Sequence, residues 1–257
     1  MIAKDVIAHL EENYPSKLAY DWDNVGLQVG REDQDINRVL VTLDVTIEVI
    51  KEAIAMDVDM IIAHHPMIFR PLKQIKTNHV SGQMIEGLIK HDIVLYIMHT
   101  NYDIASSGMN QVLADTLGLK DQEILEFTTE EEGLGRIGQI EPVTLEQLAD
   151  QIKDTFSLEH VRMIGKGKQE VKRIAIVGGS GSSVIDQAMS LNVDVLITGD
   201  ITYHHALDMN MSGLAGIDPG HHIEVIFVDA LLKELTNKFK DILFVKSKID
   251  TNPYLVR

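Results

Sequence analysis

Apolar residues recur at helical spacing at Val6, Ile7 and Leu10, which predicts an amphipathic helix over residues 3 to 13, ending before Tyr14-Pro15. A loop follows, Asp21-Trp22-Asp23-Asn24-Val25-Gly26-Leu27-Gln28-Val29-Gly30. The run Arg38 to Asp44 predicts a buried strand, residues 46 to 57 a helix, and Met60 to Ala63 a second strand that ends in His64-His65-Pro66. Residues 81 to 91 read as a helix and Ile93 to Met98 as a third strand, running straight into His99-Thr100-Asn101-Tyr102-Asp103. Asp218, Pro219 and Gly220 mark the entry of a long amphipathic helix reaching about Lys238.

The second half of the chain repeats the first. At a constant offset of 135, Arg38 to His65 aligns with Arg173 to Asp200 without a gap and with seven identities, Val49-Ile50 falling on Val184-Ile185 and Asp59 on Asp194. A strand-helix-strand unit is therefore duplicated, and the position of His64-His65 answers to Gly199-Asp200. The expected fold class is α/β: two similar lobes with mainly parallel or mixed sheets and ligand sites at the carboxyl ends of strands. The acidic, glycine-containing stretch Phe127 to Gly133 reads as a linker. It divides the chain into an N-terminal lobe, 1–125, and a C-terminal lobe, 126–257, acting as one functional unit.

Composition narrows the chemistry. At 257 residues, 45% hydrophobic and 24% charged, the chain is globular in type. Its start lacks a basic, apolar leader, and no apolar stretch approaches the ~20 residues that cross a bilayer, so a cytoplasmic protein without membrane contact is expected. A net charge of −16 argues against a general phosphate-binding surface and hence against nucleic acid. A small anionic or nucleotide substrate stays open, because bound dications reverse the field of a pocket. With no cysteine, any metal is held by imidazole and carboxylate, which suits Zn, Fe, Mn or Mg.

His64 and His65 are the leading ligand candidates, but successive side chains of a strand face opposite ways. Either the backbone turns at His65-Pro66 or the pair serves two ions. A hydrogen-bonded core His64 and a loop His65 remain the bland alternative. His221 and Glu224, three apart at a helix start, share a face, although Glu224 also suits the helix dipole alone. With Asp103 these make three imidazoles and two carboxylates, enough for two ions that polarise a substrate oxygen and acidify water. His99 either orients Asp103, shuttles a proton, or is structural. Gly178-Gly179-Ser180-Gly181 sits between strand and helix; it is neither a P-loop nor a dinucleotide fingerprint, and tight packing is favoured over phosphate binding. Trp22 with Asp23 and Asn24 either lines a site mouth or anchors the loop on the core.

Taken together, His64-His65-Pro66, the run His99 to Asp103, Thr198-Gly199-Asp200, Gly220-His221 with Glu224, the Asp21 to Gly30 segment and the Gly178 to Gly181 loop resemble the GTP cyclohydrolase I type 2 homologue, or Nif-three-like, family in its order along nearly the whole chain. The resemblance implies two α/β lobes, a dinuclear metal site between them, and a toroidal homohexamer. It maps the metal ligands onto His64, His65, Asp103, His221 and Glu224, and places the run Gly199 to His205 beside the site, with His204 in an outer-sphere or acid-base role or merely packing. Two departures stand out. The domain that many members insert between the lobes is absent, and the glutamate follows the histidine by three residues where many members have four. The functions open at this point are a two-metal hydrolase, opening the ring of GTP as the family name suggests, and a metal-binding oligomeric adaptor without turnover.

Overall fold

A computed structural model describes residues 1–255. Among these residues the strands are β1 (Gly26–Val29), β2 (Arg38–Thr42), β3 (Met60–Ala63), β4 (Val94–Ile97), β5 (Lys120–Phe127), β6 (Gly133–Thr144), β7 (Arg162–Ile164), β8 (Glu170–Ser180), β9 (Val195–Gly199), β10 (Ala215–Asp218) and β11 (Leu243–Lys246). β3, β4 and β9 are buried along their whole length, as continuous apolar strands covered on both faces should be.

The chain divides into two units. The first holds Met1–Tyr102 together with the C-terminal segment from Phe227; the second holds Asp103–Ile226. In the first unit the sheet order is β1-β4-β3-β2-β11, with β4, β3, β2 and β11 parallel and β1 antiparallel at the edge. In the second it is β5-β6-β8-β9-β10-β7, where β8, β9 and β10 form the parallel centre and antiparallel strands flank it. Both sheets are mixed, one of the expected alternatives.

The expected division at 125/126 is corrected on two counts. The stretch Phe127 to Gly133 is not a linker: it joins β5 to β6 in an antiparallel hairpin, with the Thr128 and Thr129 amides bonded to the Glu132 carbonyl. Acidic and glycine residues mark a tight turn as readily as a boundary. The C-terminal segment belongs to the first unit because β11 pairs in parallel with β2, Leu243 opposite Arg38 through Lys246 opposite Val41.

The duplication is written into the backbone. Val39 pairs with Met60 and Ile174 with Val195, and the next two pairs follow at the same offset of 135. One carboxylate oxygen of Asp59 accepts the amides of Asn37 and Arg38, at 2.7 and 2.9 Å; Asp194 does the same for Lys172 and Arg173, at 2.8 and 2.7 Å. Asp57 and Asn192 both take left-handed φ, 51° and 53°, at the end of the linking helix. Short polar side chains tolerate that conformation best among non-glycine residues.

Each unit has its own apolar core. Leu40, Val49, Ala53, Ile61, Leu88 and Leu95 pack together in the first, and Ala175, Val184, Ala188, Leu196, Met209 and Leu214 in the second. The helix Ile47–Ala55 starts on Thr46, whose hydroxyl accepts the Val49 amide at 3.2 Å. It buries Val49, Ile50 and Ala53 over the sheet at roughly 1.5 to 3 kcal/mol for a large aliphatic side chain.

Candidate metal centre

In the first unit three histidines converge at the carboxyl ends of parallel strands. His64 and His65 follow β3, and His99 follows β4 and precedes the short helix Thr100–Ile104. The backbone does turn after β3, both His64 and His65 amides bonding to the Leu43 carbonyl. Ring centroids lie 5.0 Å apart for His64 and His65, 5.3 Å for His64 and His99, and 5.7 Å for His65 and His99. One ring nitrogen from each falls within 4.8 Å of the others.

Every one of these rings is oriented through Nδ1. His64 Nδ1 is 2.7 Å from the Met98 carbonyl, His65 Nδ1 2.7 Å from Asp44 Oδ1, and His99 Nδ1 2.9 Å from both oxygens of Asp23. Carbonyl and carboxylate oxygens only accept, so Nδ1 donates in each case and the neutral ring keeps its lone pair on Nε2. That is the arrangement in which a metal-ligating histidine is held by its outer-sphere partner. Asp23 also accepts the Thr100 hydroxyl at 2.6 Å and the Thr100 amide at 3.1 Å. Burial pushes the Asp23 carboxyl up, but the His99 and Thr100 hydrogen bonds and the nearby imidazole outweigh it and bring it down to about 2. Asp23 is thus a fixed anion behind His99.

The second unit contributes His221, Glu224 and Asp103. The predicted helix start is instead a 3-10 turn, His221–Val225, before the α-helix Ile226–Lys238. In a 3-10 turn residues i and i+3 eclipse, so a three-residue interval sets the two side chains together. His221 Nε2 lies 3.1 Å from Glu224 Oε2, while its Nδ1 lies 2.7 Å from Asp200 Oδ2. With Nδ1 donating to Asp200, Nε2 and the carboxylate present two lone pairs to each other; a second proton or a shared cation must lie between them. A carboxylate oxygen of Asp103 comes within 4.8 Å of one of Glu224. Glu224 is 3% exposed, too buried to be a solvated surface acid.

Local sequence explains the placement. Asp218, at the end of β10, accepts the Gly220 amide at 2.8 Å and the Ile201 amide at 3.0 Å and pairs with Arg162, fixing the turn that presents His221. Gly179 has φ +57°, and a Cβ there would meet Glu224 Oε1 at 2.5 Å and His221 Nε2 at 3.3 Å. The glycine loop is a cradle for these two ligand candidates. Asn110 reaches the Asp103 carbonyl at 2.8 Å and accepts the Gly178 amide at 2.9 Å, tying Asp103 to that strand.

The seven candidate residues therefore fall into two sets and one outlier. His64, His65 and His99 are together in one unit, Asp103, His221 and Glu224 in the other. His204 is exposed on the helix Tyr203–Ser212, its ring 5.4 Å from Tyr203, and joins neither set. Asp44 and Asp200 hold His65 and His221; Asp44 was not singled out by the sequence, although its place at the end of β2, beside β3, marks it. At the offset of 135 Asp44 answers to Gly179 and His65 to Asp200. One lobe's carboxylate has become the other's cradle, and one lobe's imidazole the other's carboxylate.

The donor set, imidazole Nε2 atoms whose Nδ1 atoms are tied down together with the carboxylates of Asp103 and the buried Glu224, fits a divalent cation. Among curated relatives, the chain is 41% identical over 262 residues to the GTP cyclohydrolase 1 type 2 homolog of Streptococcus pneumoniae, with 99% of each covered, and 38% identical to that of Lactococcus lactis at the same coverage. Its alignment with the Bacillus subtilis relative, at 30% identity, runs over 364 residues, so that protein carries a segment absent here. Among solved structures, a Staphylococcus aureus hypothetical protein superposes with a TM-score of 0.95 at 34% identity and a Bacillus cereus protein related to NIF3 with 0.94 at 28%, each over 100% of this chain and 99% of the other. Since residues 1–253 match its family model, the chain belongs to the Duf34/NIF3 (NGG1p interacting factor 3) family.

Proposed function

We propose that this protein binds two divalent metal ions, Zn, Fe, Mn or Mg, through His64, His65, Asp103, His221 and Glu224, drawing ligands from both units, and that it is a metal-dependent hydrolase. The observation that carries the reading is the common orientation of four histidines, each with Nδ1 given to an acceptor. Chain connectivity supports joining the two sets. The chain leaves the first unit after Tyr102 and returns at Phe227. His64 packs on both of those residues, ring centroids 6.3 and 5.2 Å away. Asp103 is the next residue after one crossing and Glu224 lies three before the other, so both carboxylates stand at the points where the chain passes between the units.

Bound there, the ions would polarise a substrate oxygen and lower the pKa of water. The protein's own residues supply the rest. Asp44, Asp200 and the Met98 carbonyl hold the ligand rings in one tautomer. His99, backed by an aspartate that stays ionised down to about pH 2, is suited to take up a proton at Nε2 and return it. Between the two proton-transfer candidates, the reading gives the role to His99 over the exposed His204.

The relatives' name suggests GTP as the substrate to try. Purified metal-loaded protein is expected to release formate and a ring-opened product from GTP, and His64→Ala to abolish this. Turnover equal to the His64→Ala background removes the GTP activity. The same proposal includes a homohexamer and a cytoplasmic location; no described helix is long and apolar enough to cross a membrane. Light scattering on the eluting protein measures the subunit number.

A further inference from the structure

Beside the histidines of the first unit stands an aromatic stack that the metal reading does not use. Tyr20 and Trp22 are nearly parallel, centroids 5.5 Å apart at 17°; Phe69 lies 5.9 Å from Trp22 and His99 6.2 Å from it. Trp22 is 58% exposed and Phe69 44%, so the rings present faces to solvent instead of anchoring their loops in the core. Exposed aromatic clusters next to polar chemistry mark binding surfaces.

The platform is fixed in place. The Tyr20 amide donates to Thr100 Oγ1 at 3.2 Å, and Thr100 in turn donates to Asp23. Phe69 follows Ile68, whose amide and carbonyl bond the Gln28 side chain at 2.8 and 3.0 Å. Farther along the same loop, Lys76 packs its backbone on Gly82, where no side chain would fit: a Cβ would meet the Lys76 carbonyl oxygen at 2.1 Å.

Charge says what the platform takes. The chain carries −16 overall, yet between Asp59 and Glu86 it has no acidic residue, while Arg70, Lys73 and Lys76 all fall there and are exposed. The segment that leaves His64-His65 is thus aromatic, then basic, in a protein that is acidic elsewhere. Planar unsaturated rings stack on aromatic faces, and guanidinium and ammonium groups take phosphate.

We propose that Trp22, flanked by Tyr20 and Phe69, is the stacking platform for the planar ring of a phosphorylated heteroaromatic substrate, whose phosphate is taken by Arg70 and its neighbouring lysines. This rests on the metal-site reading for its orientation, since it places the ring edge against His99. It assigns substrate class to a surface, and it identifies the one residue that reports binding, because Trp22 is the only tryptophan in the chain.

The test uses the whole protein as purified, with metal content measured on every sample, and follows Trp22 fluorescence against GTP, guanosine and inorganic tripolyphosphate. GTP is expected to quench saturably and guanosine to quench at least about tenfold more weakly, with tripolyphosphate competing against GTP while quenching little. By calorimetry, Trp22→Ala should weaken GTP about tenfold or more, the scale of one base on one ring, and Trp22→Phe should stay within about threefold of wild type. Arg70→Ala should weaken GTP and leave guanosine unchanged. Absence of quenching by GTP, or Trp22→Ala binding GTP like wild type, at undiminished metal content overturns the platform and leaves the metal site standing. Protein without metal that still shows the full quenching pattern upholds the platform and shows that stacking does not depend on the ions.

Discussion

Gly179→Ala puts the cradle to a quantitative test. A Cβ at this position would lie 2.5 Å from Glu224 Oε1 and 3.1 Å from its Cδ. Ordinary carbon-oxygen contacts are about 3.3 to 3.6 Å, so Glu224 must retreat by roughly 0.8 Å or the strand must yield. Metal ligands tolerate a few tenths of an ångström, and a site displaced by about 0.5 Å is already outside productive geometry. The φ of +57° adds strain of about 1 to 2 kcal/mol for any side chain. Gly213→Ala separates the two effects: its φ is +82°, but nothing lies within 4 Å of the added Cβ. In metal-free chemical denaturation Gly213→Ala should lose about 1 to 2 kcal/mol, and Gly179→Ala at least as much because the clash adds to the strain. Only Gly179→Ala should lose metal affinity, by about tenfold to a hundredfold, the scale at which a disturbed ligand environment is felt. Metal per chain after dialysis against graded chelator measures it. A Gly179→Ala protein that holds metal as tightly as Gly213→Ala refutes Glu224 as a ligand.

Asp44→Ala releases His65 Nδ1 and should weaken metal binding about tenfold to a hundredfold, measured by the same chelator series, while leaving the helical content by circular dichroism unchanged. Metal should leave under acid, because a protonated imidazole cannot ligate; full retention of both ions in strong acid speaks against a histidine-rich site. Asp23 behaves differently. Its folded carboxyl, at about 2, lies below the unfolded value of ~3.9, so its contribution to stability is present above about pH 4 and is lost as the pH falls through 2. The stability gap between wild type and Asp23→Asn in metal-free protein should therefore be constant from pH 7 to 5 and close towards pH 2; a gap that closes between pH 7 and 5 contradicts the assignment. Asp59→Ala and Asp194→Ala each remove two charge-assisted hydrogen bonds to backbone amides, and each should cost about 2 to 4 kcal/mol in its own unit. Hydrogen exchange localised to each sheet reads the two losses; a clear inequality breaks the structural equivalence of the repeats.

Local pattern made β2, β3 and β4 legible, and through the repeat β8 and β9, because buried parallel strands such as Met60 to Ala63 are short unbroken apolar runs bounded by polar residues; β1 lies inside the segment read as a loop, and β5 and β6, half-exposed and antiparallel, carry no such run. The repeat was legible too, and its register holds pair for pair. The unit boundary was not. β11 is four residues, Leu243–Lys246, with two of them exposed, and nothing local says that it closes the first sheet beside β2 instead of the second. Partner choice in a sheet is a long-range property that periodicity does not carry. At the site, the chemically rare residues announced themselves: adjacent histidines, and a histidine and glutamate three apart. Their partners did not. Asp44 looked like an ordinary strand end, and Gly179 looked like half of a phosphate loop until the position of Glu224 gave its missing side chain a reason.

The central claim is that histidine Nε2 atoms and the carboxylates of Asp103 and Glu224 hold a pair of metal ions. Crystals of protein purified without added metal, measured above and below the absorption edges of zinc, iron and manganese and backed by elemental analysis, test it directly. The account predicts two ions per chain, giving anomalous peaks where they are zinc, iron or manganese, with His64, His65, Asp103, His221 and Glu224 as ligands, each histidine bound through Nε2 while Nδ1 stays on its acceptor. Metal bound elsewhere, ligation through Nδ1, or a metal-free protein that fails to take up zinc, iron, manganese or magnesium on soaking would contradict it.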